Sequence, residues 1–235
     1  MAFLSFDIEI SDVFDVEPGQ DIESFAPFHV SVAASIVNGG EEKLWYSEES
    51  PGHPALNLTQ AKAREMLDYL EEQQNRGVPV VAWNGLKFDF KWLGYQAGDL
   101  EHAARIALKS YDPFFQFFNQ RGFFLSLAKV AEGLEVPIRK SMDGAEAPRA
   151  WRQGRFQEVM DYVLGDCRIT NHLVLAIKKR GGIAWVNRRG ELAFERFERF
   201  KKVEEILSEP PPDTSWMDDP PDKREFSRWI ETLKV

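Results

Sequence analysis

Residues 3–10 have the sequence FLSFDIEI, which predicts the first β-strand of the protein. Every second residue is large and apolar, as the two-residue period of a strand requires, namely Leu4, Phe6, Ile8 and Ile10. Asp7 and Glu9 therefore lie together on the opposite face. Carboxylates rarely enter so apolar a segment, and two like charges at close range favour a neutralising cation. The pair is either a solvated strand face or part of a charged site.

Further elements follow in an order typical of an α/β protein. Strands are predicted at 29–37, 43–46 and 78–83, and helices at 59–76, 88–96, 99–109, 127–134 and 157–179. The run at 78–83 is short, apolar and β-branched, which indicates a buried parallel strand. A hairpin followed by helices and a parallel strand predicts a mixed sheet flanked by helices.

The pattern changes from residue 183 onward. Residues 183–186 and 192–197 flank a polar turn and predict a hairpin; a short helix, a proline run and a terminal helix containing Trp229 follow. We therefore predict a main domain at 1–182 and a C-terminal extension at 183–235 that packs on it. The sequence assigns no role to this extension.

The net charge, the cysteine content and the N-terminal residues limit the functions and the cellular compartments that fit the sequence. The 235 residues carry a formal net charge of −9. This acidic balance argues against tight non-specific nucleic-acid binding by the whole surface, because such binding rests on many Lys and Arg contacts to phosphates. Cys167 is the single cysteine, so an internal disulfide is excluded. The N-terminal segment has no Lys or Arg and contains two acids, so we predict a cytoplasmic protein with neither a signal peptide nor a membrane partner.

Two further segments place acids where a site can form. The strand at 78–83 runs into an Asn-Gly pair, and Asp89 follows at the predicted start of a helix. Ligands of open α/β sheets bind beyond the carboxyl ends of the strands, so Asp89 could reach such a crevice; it could equally stabilise the helix dipole. Tyr162 and Asp166 are four residues apart on the predicted long helix and share one side. A buried Asp there requires a partner, which a metal ion would supply.

Three ordered motifs resemble the DEDD superfamily of 3′–5′ exonucleases: FDIE (6–9), NGLKFD (84–89) and YVLGD (162–166). A tyrosine stands four residues before the last Asp, and in this feature the sequence is similar to the branch that includes the polymerase-B-like exonucleases. The resemblance implies a ribonuclease H-like α/β fold. It further implies a mixed sheet of five or six strands, flanked by helices and followed by the C-terminal extension.

The resemblance also implies an active site. Four carboxylates would bind two Mg²⁺ or Mn²⁺ ions, namely Asp7, Glu9, Asp89 and Asp166. Tyr162 would position the attacking water, since a phenol with an ordinary pKa of about 10 orients water more readily than it deprotonates it. The enzyme would hydrolyse single-stranded DNA or RNA from the 3′ end and release nucleoside 5′-monophosphates.

Contacts to the nucleic acid are predicted at Asn84, Phe88 and Lys140. Asn84 could bind the terminal nucleotide or shape the turn after the strand. Phe88 could stack on a base or belong to the core. Lys140 belongs to a basic stretch that could follow the phosphates or form a solvated face; the other members are Arg139, Arg149, Arg152 and Arg155.

Two other classes of function stay open. The same fold could serve a catalytically inactive nucleic-acid-binding or scaffolding protein, although four converging acids argue against this. An endonuclease or another phosphotransferase would use similar carboxylates, and only the tyrosine favours an exonuclease. The sequence leaves open the choice between DNA and RNA, and whether a protein partner takes part.

Overall fold

The computed structural model describes residues 2–15, 20, 22–137, 141–233 and 235. The strands in chain order are β1 (Leu4–Ile10), β2 (Val30–Val37), β3 (Glu42–Trp45), β4 (Glu48–Ser50), β5 (His53–Pro54), β6 (Val80–Val81), β7 (Gly182–Val186) and β8 (Leu192–Arg196). The α-helices are α1 (Gln60–Asn75), α2 (Asp89–Ala97), α3 (Leu100–Lys109), α4 (Pro113–Arg121), α5 (Leu127–Gly133), α6 (Ala147–Arg152), α7 (Phe156–Arg180) and α8 (Val203–Ser208). Short 3₁₀ helices lie at Ile22–Phe25 and Lys223–Phe226.

The main sheet has the strand order β3-β2-β1-β6, so β1 is a central strand. β1 and β3 both run antiparallel to β2, whereas β6 runs parallel to β1. The predicted α/β class with a mixed sheet flanked by helices is therefore confirmed. The predicted number of five or six strands is wrong for the part of the chain that the structure describes, where this sheet has four.

Single-residue bridges replace the missing strands beyond β6. Tyr111 pairs in parallel with Val81, and Lys202 pairs antiparallel with Tyr111. The Tyr111 amide donates to the Val80 carbonyl at 2.9 Å. The chain cannot extend this pairing, because Pro113 lacks an amide proton and begins α4. Tyr111 and Lys202 thus stand where two further strands would lie, and each contributes a single bridged residue.

Helices cover both faces of the sheet. The apolar face of β1 packs on α1, α2 and α3, and the rings of Phe6 and Phe90 meet at a centroid distance of 4.7 Å. The opposite face packs against α7, where the Ser5 hydroxyl donates to the Cys167 carbonyl at 3.0 Å. The alternation predicted for residues 3–10 therefore turns the carboxylates of β1 toward α7.

The long helices begin and end at the residues that the sequence indicates. Thr59 caps α1 by accepting a hydrogen bond from the Lys62 amide at 3.2 Å, and α7 ends at Gly181, whose φ of 75° suits glycine. Two helices were not predicted, α4 and α6. The sequence of α4, PFFQFFNQR, is buried over its first seven residues, including its polar Gln116 and Asn119.

The segment after α7 packs on the rest of the chain. β7 and β8 form the predicted antiparallel hairpin. Four later side chains enter the main hydrophobic core, namely Val203, Ile206, Phe226 and Ile230. The predicted terminal helix around Trp229 is wrong, because the 3₁₀ helix Lys223–Phe226 ends before that residue and turns follow. The division of the chain at residue 182 stays a prediction.

Within the described residues, no helix combines the length and the apolar composition that crossing a bilayer needs.

Candidate active site

β1 presents two carboxylates on the face that α7 covers. Asp7 lies opposite Ala34 of β2, and Glu9 lies opposite Val32. Glu9 is buried, whereas Asp7 is half-buried. Because side chains two residues apart share a strand face, the two carboxylates project side by side into the space between the sheet and α7.

α7 adds a third carboxylate to this pair. Asp166 is only 4% exposed, and oxygens of Asp7, Glu9 and Asp166 lie within 4.8 Å of one another. Three negative charges at such distances repel one another unless a cation neutralises them. All the ligand atoms are carboxylate oxygens, the donors that hard divalent cations prefer. The group of three could therefore hold a divalent metal ion.

Asp89 is a fourth carboxylate in the same cavity, and a hydrogen bond from the backbone holds it in place. It is the first residue of α2, it is 3% exposed, and its Oδ1 accepts a hydrogen bond from the Ile8 amide at 3.1 Å. That amide lies beyond the last residue pair of β1 and β6, Ser5 and Val81. Asp89 thus accepts a hydrogen bond from a β1 amide that β6 is too short to pair with. Asp89 also lines a cavity of about 320 Å³ together with the three carboxylates.

The pKa of Asp89 is raised to about 7. Burial is the main cause; the hydrogen bond from Ile8 opposes it, and the charges of Asp112 and Asp166 reinforce it. In the metal-free site this side chain therefore binds a proton near neutral pH. A cation in the same cavity would favour the charged form and displace that proton.

Tyr162 lies one helical turn before Asp166 and lines the same cavity. Burial raises the pKa of its hydroxyl, and the charges of Glu9, Asp166 and Asp7 raise it further, as does a hydrogen bond to Asp166. The phenol thus stays protonated at physiological pH. It can donate a hydrogen bond, but it cannot act as a base.

An open cleft of about 880 Å³ adjoins the acidic cavity and shares Asp7 and Asp166 with it. Asn84 and Phe88 line both spaces, and their contact with a substrate stays a prediction. Asn84 has a positive φ of 67°, and its Oδ1 is buried without a hydrogen-bond partner among the described residues. Lys140 lies outside the described residues.

Phe88 also serves the core, because its ring packs on Phe28 at a centroid distance of 5.9 Å. The structure therefore shows the core role of this residue, and its stacking on a base stays a prediction. One part of the ring belongs to the aromatic cluster beneath α2, and another part lines the cleft beside the acids.

Asp112 is a residue of this site that the sequence did not reveal. It is 2% exposed and accepts hydrogen bonds from three amides, those of Asn84 at 3.1 Å, Leu86 at 3.0 Å and Phe115 at 3.0 Å. Burial raises its pKa to about 6, although these donors oppose the shift. Asp112 therefore fixes the loop that carries Asn84 while it caps α4. The Asp-Pro pair at 112–113, a helix-start signal, could have indicated the cap.

The three arginines of the basic stretch that the structure describes contact other residues of the same chain. Arg149 pairs with Asp15, Arg155 pairs with two glutamates, and the Arg152 side chain donates to the Ser11 carbonyl at 2.6 Å. None of these three arginines lines the cleft or the acidic cavity. This arrangement favours the solvated-face interpretation for the arginines over a track for phosphates.

Comparisons with known proteins agree with this architecture. A family model described as the RNase_H superfamily matches residues 36–177, which is more than half of the chain. No curated protein matches the chain. Among solved structures, the family B DNA polymerase from the hyperthermophilic archaeon Pyrobaculum calidifontis is similar with a TM-score of 0.51 and 19% identity. The similarity covers 75% of this chain but 24% of the polymerase, so this chain spans about a quarter of that protein.

E. coli exonuclease I is similar at a lower level. Its complex with a dT13 oligonucleotide has a TM-score of 0.40 and 12% identity, over 76% of this chain and 41% of the enzyme. A second structure of exonuclease I has the same TM-score and 13% identity. At these identities the likeness concerns the fold. The predicted ribonuclease H-like fold is confirmed by the family match.

Proposed function

The chain belongs to the RNase_H superfamily, and on this premise we propose that it is a metal-dependent 3′–5′ exonuclease acting on single-stranded nucleic acid. The observation that carries the proposal is the convergence of Asp7, Glu9 and Asp166 within 4.8 Å. Tyr162, one helical turn before Asp166, supports an exonuclease over other nucleases. The coarser conclusion, a nuclease fold with an acidic group able to hold metal, does not depend on this tyrosine.

The carboxylates would hold Mg²⁺ or Mn²⁺. Asp7, Glu9 and Asp166 would supply oxygen ligands, and Asp89 would hold a second ion directly or through water. When bound, two such ions stabilise negative charge on the attacking and the leaving oxygen of the phosphodiester. Asp89 would have to give up the proton it carries near neutral pH in order to act as a ligand.

The hydroxyl of Tyr162 orients the attacking water and does not deprotonate it, because the environment holds its proton in place. A bond forms between the water oxygen and phosphorus while the bond from phosphorus to the 3′-oxygen breaks. The 3′-oxygen takes up a proton, and the products are a nucleoside 5′-monophosphate and a strand shorter by one residue. Asn84, Phe88 and Lys140 contact the strand in this proposal.

A cleavage assay with end-labelled oligonucleotides tests the function. Single-stranded DNA and RNA, each labelled at the 5′ or the 3′ end, are incubated with the protein in Mg²⁺, Mn²⁺ or EDTA. We expect a ladder that shortens from the 3′ end with the 5′ label, immediate release of a labelled mononucleotide with the 3′ label, and no reaction in EDTA. The comparison of DNA with RNA gives the sugar preference.

Two variants with the same chemical change sharpen the assay. Asp7→Asn should lose about 100-fold or more in rate, because it removes a carboxylate that would hold the metal. Asp161→Asn is the matched control, since Asp161 is an exposed carboxylate of α7 that bonds to Gln157 at 2.9 Å. Internal fragments at early times would indicate an endonuclease. Strand binding without any cleavage would support the inactive binding protein.

A further inference from the structure

The wall that the loop between α4 and α5 contributes to the open cleft contains an exposed aromatic ring. Phe124 lies in the loop between α4 and α5 and is 44% exposed. It lines the same cleft as Asp7 and Asp166, together with Phe114. A large apolar ring that faces solvent inside a cleft is a candidate contact for a flat ligand.

Other rings hold Phe124 in a fixed orientation. It stacks on Phe114 at a centroid distance of 5.6 Å and an interplanar angle of 20°. It also stacks on Phe118 at 5.3 Å and 29°. These contacts restrict the rotation of the exposed ring and leave part of its surface open to the cleft. Phe124 is therefore prepared for stacking at little further cost in side-chain entropy.

The C-terminal segment supports this wall from behind. Phe226, in the second 3₁₀ helix, is fully buried and packs against Phe118 at 4.8 Å and against Phe115 at 4.7 Å. Its ring also meets Phe124 edge-on at 6.0 Å. An Asp222–Glu225 capping box fixes the start of this 3₁₀ helix. Residues far along the chain thus complete the wall.

The same segment also holds the loop at 84–88. The Trp229 indole donates to the Leu86 carbonyl at 2.8 Å, and Glu225 pairs with the Lys87 ammonium at 2.8 Å. This ammonium lies 5.4 Å from the centre of the Phe124 ring. Because Glu225 balances its charge, the wall offers an aromatic surface with no excess of positive charge.

We infer that Phe124 stacks on an unpaired nucleobase of the bound strand, and that residues 222–230 position the wall carrying it. This inference rests on the proposed function and gives a role to the C-terminal segment, which lies outside residues 36–177 of the family match. The ligand is a base and not a phosphate, since the wall is aromatic and its cation is paired. Stacking also tolerates any base, as a nuclease of mixed sequences requires.

Binding to a single-stranded oligonucleotide with 2-aminopurine at successive positions from the 3′ end tests the stacking. The Asp7→Asn background keeps the strand uncleaved. Phe124→Ala should weaken binding about 10-fold, within the range measured for one base on one aromatic ring, and should remove the fluorescence quenching at one position. Phe194→Ala is the matched control, because Phe194 of β8 is 50% exposed but does not line the cleft.

A pair of tryptophan variants tests the role of the C-terminal segment. Trp229→Phe removes the indole donor to Leu86 and should weaken strand binding several-fold while the protein stays folded by circular dichroism. Trp216→Phe removes a similar donor, since the Trp216 indole bonds to the Asp213 carbonyl at 3.2 Å, and it should leave binding unchanged. The quenching at the position assigned to Phe124 should fall in Trp229→Phe only.

The outcomes separate this inference from the proposed function. Cleavage by the wild-type protein with unchanged binding and quenching in Phe124→Ala would overturn the inference and leave the exonuclease intact. Failure of the wild-type protein both to bind and to cleave any strand would overturn both. Equal losses in Trp229→Phe and Trp216→Phe would refute the positioning role of residues 222–230.

Discussion

Asp166→Asn should stabilise the metal-free protein and destabilise it relative to the wild type once a divalent ion is added. The substitution removes one of three charges whose oxygens lie within 4.8 Å. Each like-charge pair at that distance costs about 1 kcal/mol even at the dielectric constant of water, and more in a buried site. Two such pairs disappear, so about 2 kcal/mol is a conservative gain. Asn also keeps an oxygen that can accept the Tyr162 hydroxyl.

A bound ion reverses the order of stability. At a free concentration about 1,000 times its Kd, an ion that binds only the folded state adds about 4.1 kcal/mol to the free energy of unfolding. The wild type has all three carboxylates of the group and gains this amount, whereas the variant lacks one and gains little. For a chain of this size about 1 kcal/mol corresponds to roughly 2–4 °C in Tm, so both differences are measurable.

Thermal unfolding followed by circular dichroism, in EDTA and in Mn²⁺, is the assay. Asp161→Asn makes the same chemical change on the exposed side of α7 and should follow the wild type under both conditions. A lower Tm of Asp166→Asn than of the wild type in EDTA would refute the repulsion among the three acids. An equal gain from Mn²⁺ in variant and wild type would refute the shared cation.

Three further predictions follow from individual side chains. Tyr162→Phe should reduce kcat about 10- to 100-fold without changing the pH profile, because the hydroxyl keeps its proton throughout the assay range; a shifted profile would mean that it titrates. In EDTA, the free energy of unfolding measured with urea should fall as the pH rises from about 4 to about 7, because the folded pKa values of Asp89, about 7, and Asp112, about 6, exceed the ordinary value of 3.8 and the folded state binds more protons; Asp89→Asn should reduce this slope to the part that Asp112 contributes, and an unchanged slope would contradict the shift. Asp112→Ala should cost about 3 kcal/mol or more, since three amides lose their acceptor, and a loss below about 1 kcal/mol would show that water replaces the carboxylate.

The parts of the site that lie on regular elements were predictable from the sequence. A period of two places Asp7 beside Glu9, and a spacing of four places Tyr162 beside Asp166. These local rules depend only on the geometry of one strand and one helix. The order of the motifs then indicates a fold that brings the two elements together, and the structure confirms that Asp166 joins the pair on β1.

The remaining parts depend on contacts that no local pattern encodes. Asp112 bonds to amides 26 and 28 residues earlier in the chain, and Trp229 reaches Leu86 across 143 residues. Neither contact has a period or a motif. The number of strands is smaller than the sequence predicts for a related reason. Tyr111 forms only a single-residue bridge, because the Asp-Pro pair that follows it begins a helix.

The hydrogen bond from the Ile8 amide to Asp89 lets a backbone amide report on the candidate active site by spectroscopy. A charged carboxylate is a stronger acceptor than a protonated one, so the amide resonance of Ile8 should move as Asp89 loses its proton. Nuclear magnetic resonance of this one amide would then follow titration and metal uptake without any substrate. The central strand of the sheet would report on the chemistry beside it, although Ile8 itself turns its side chain to the opposite face.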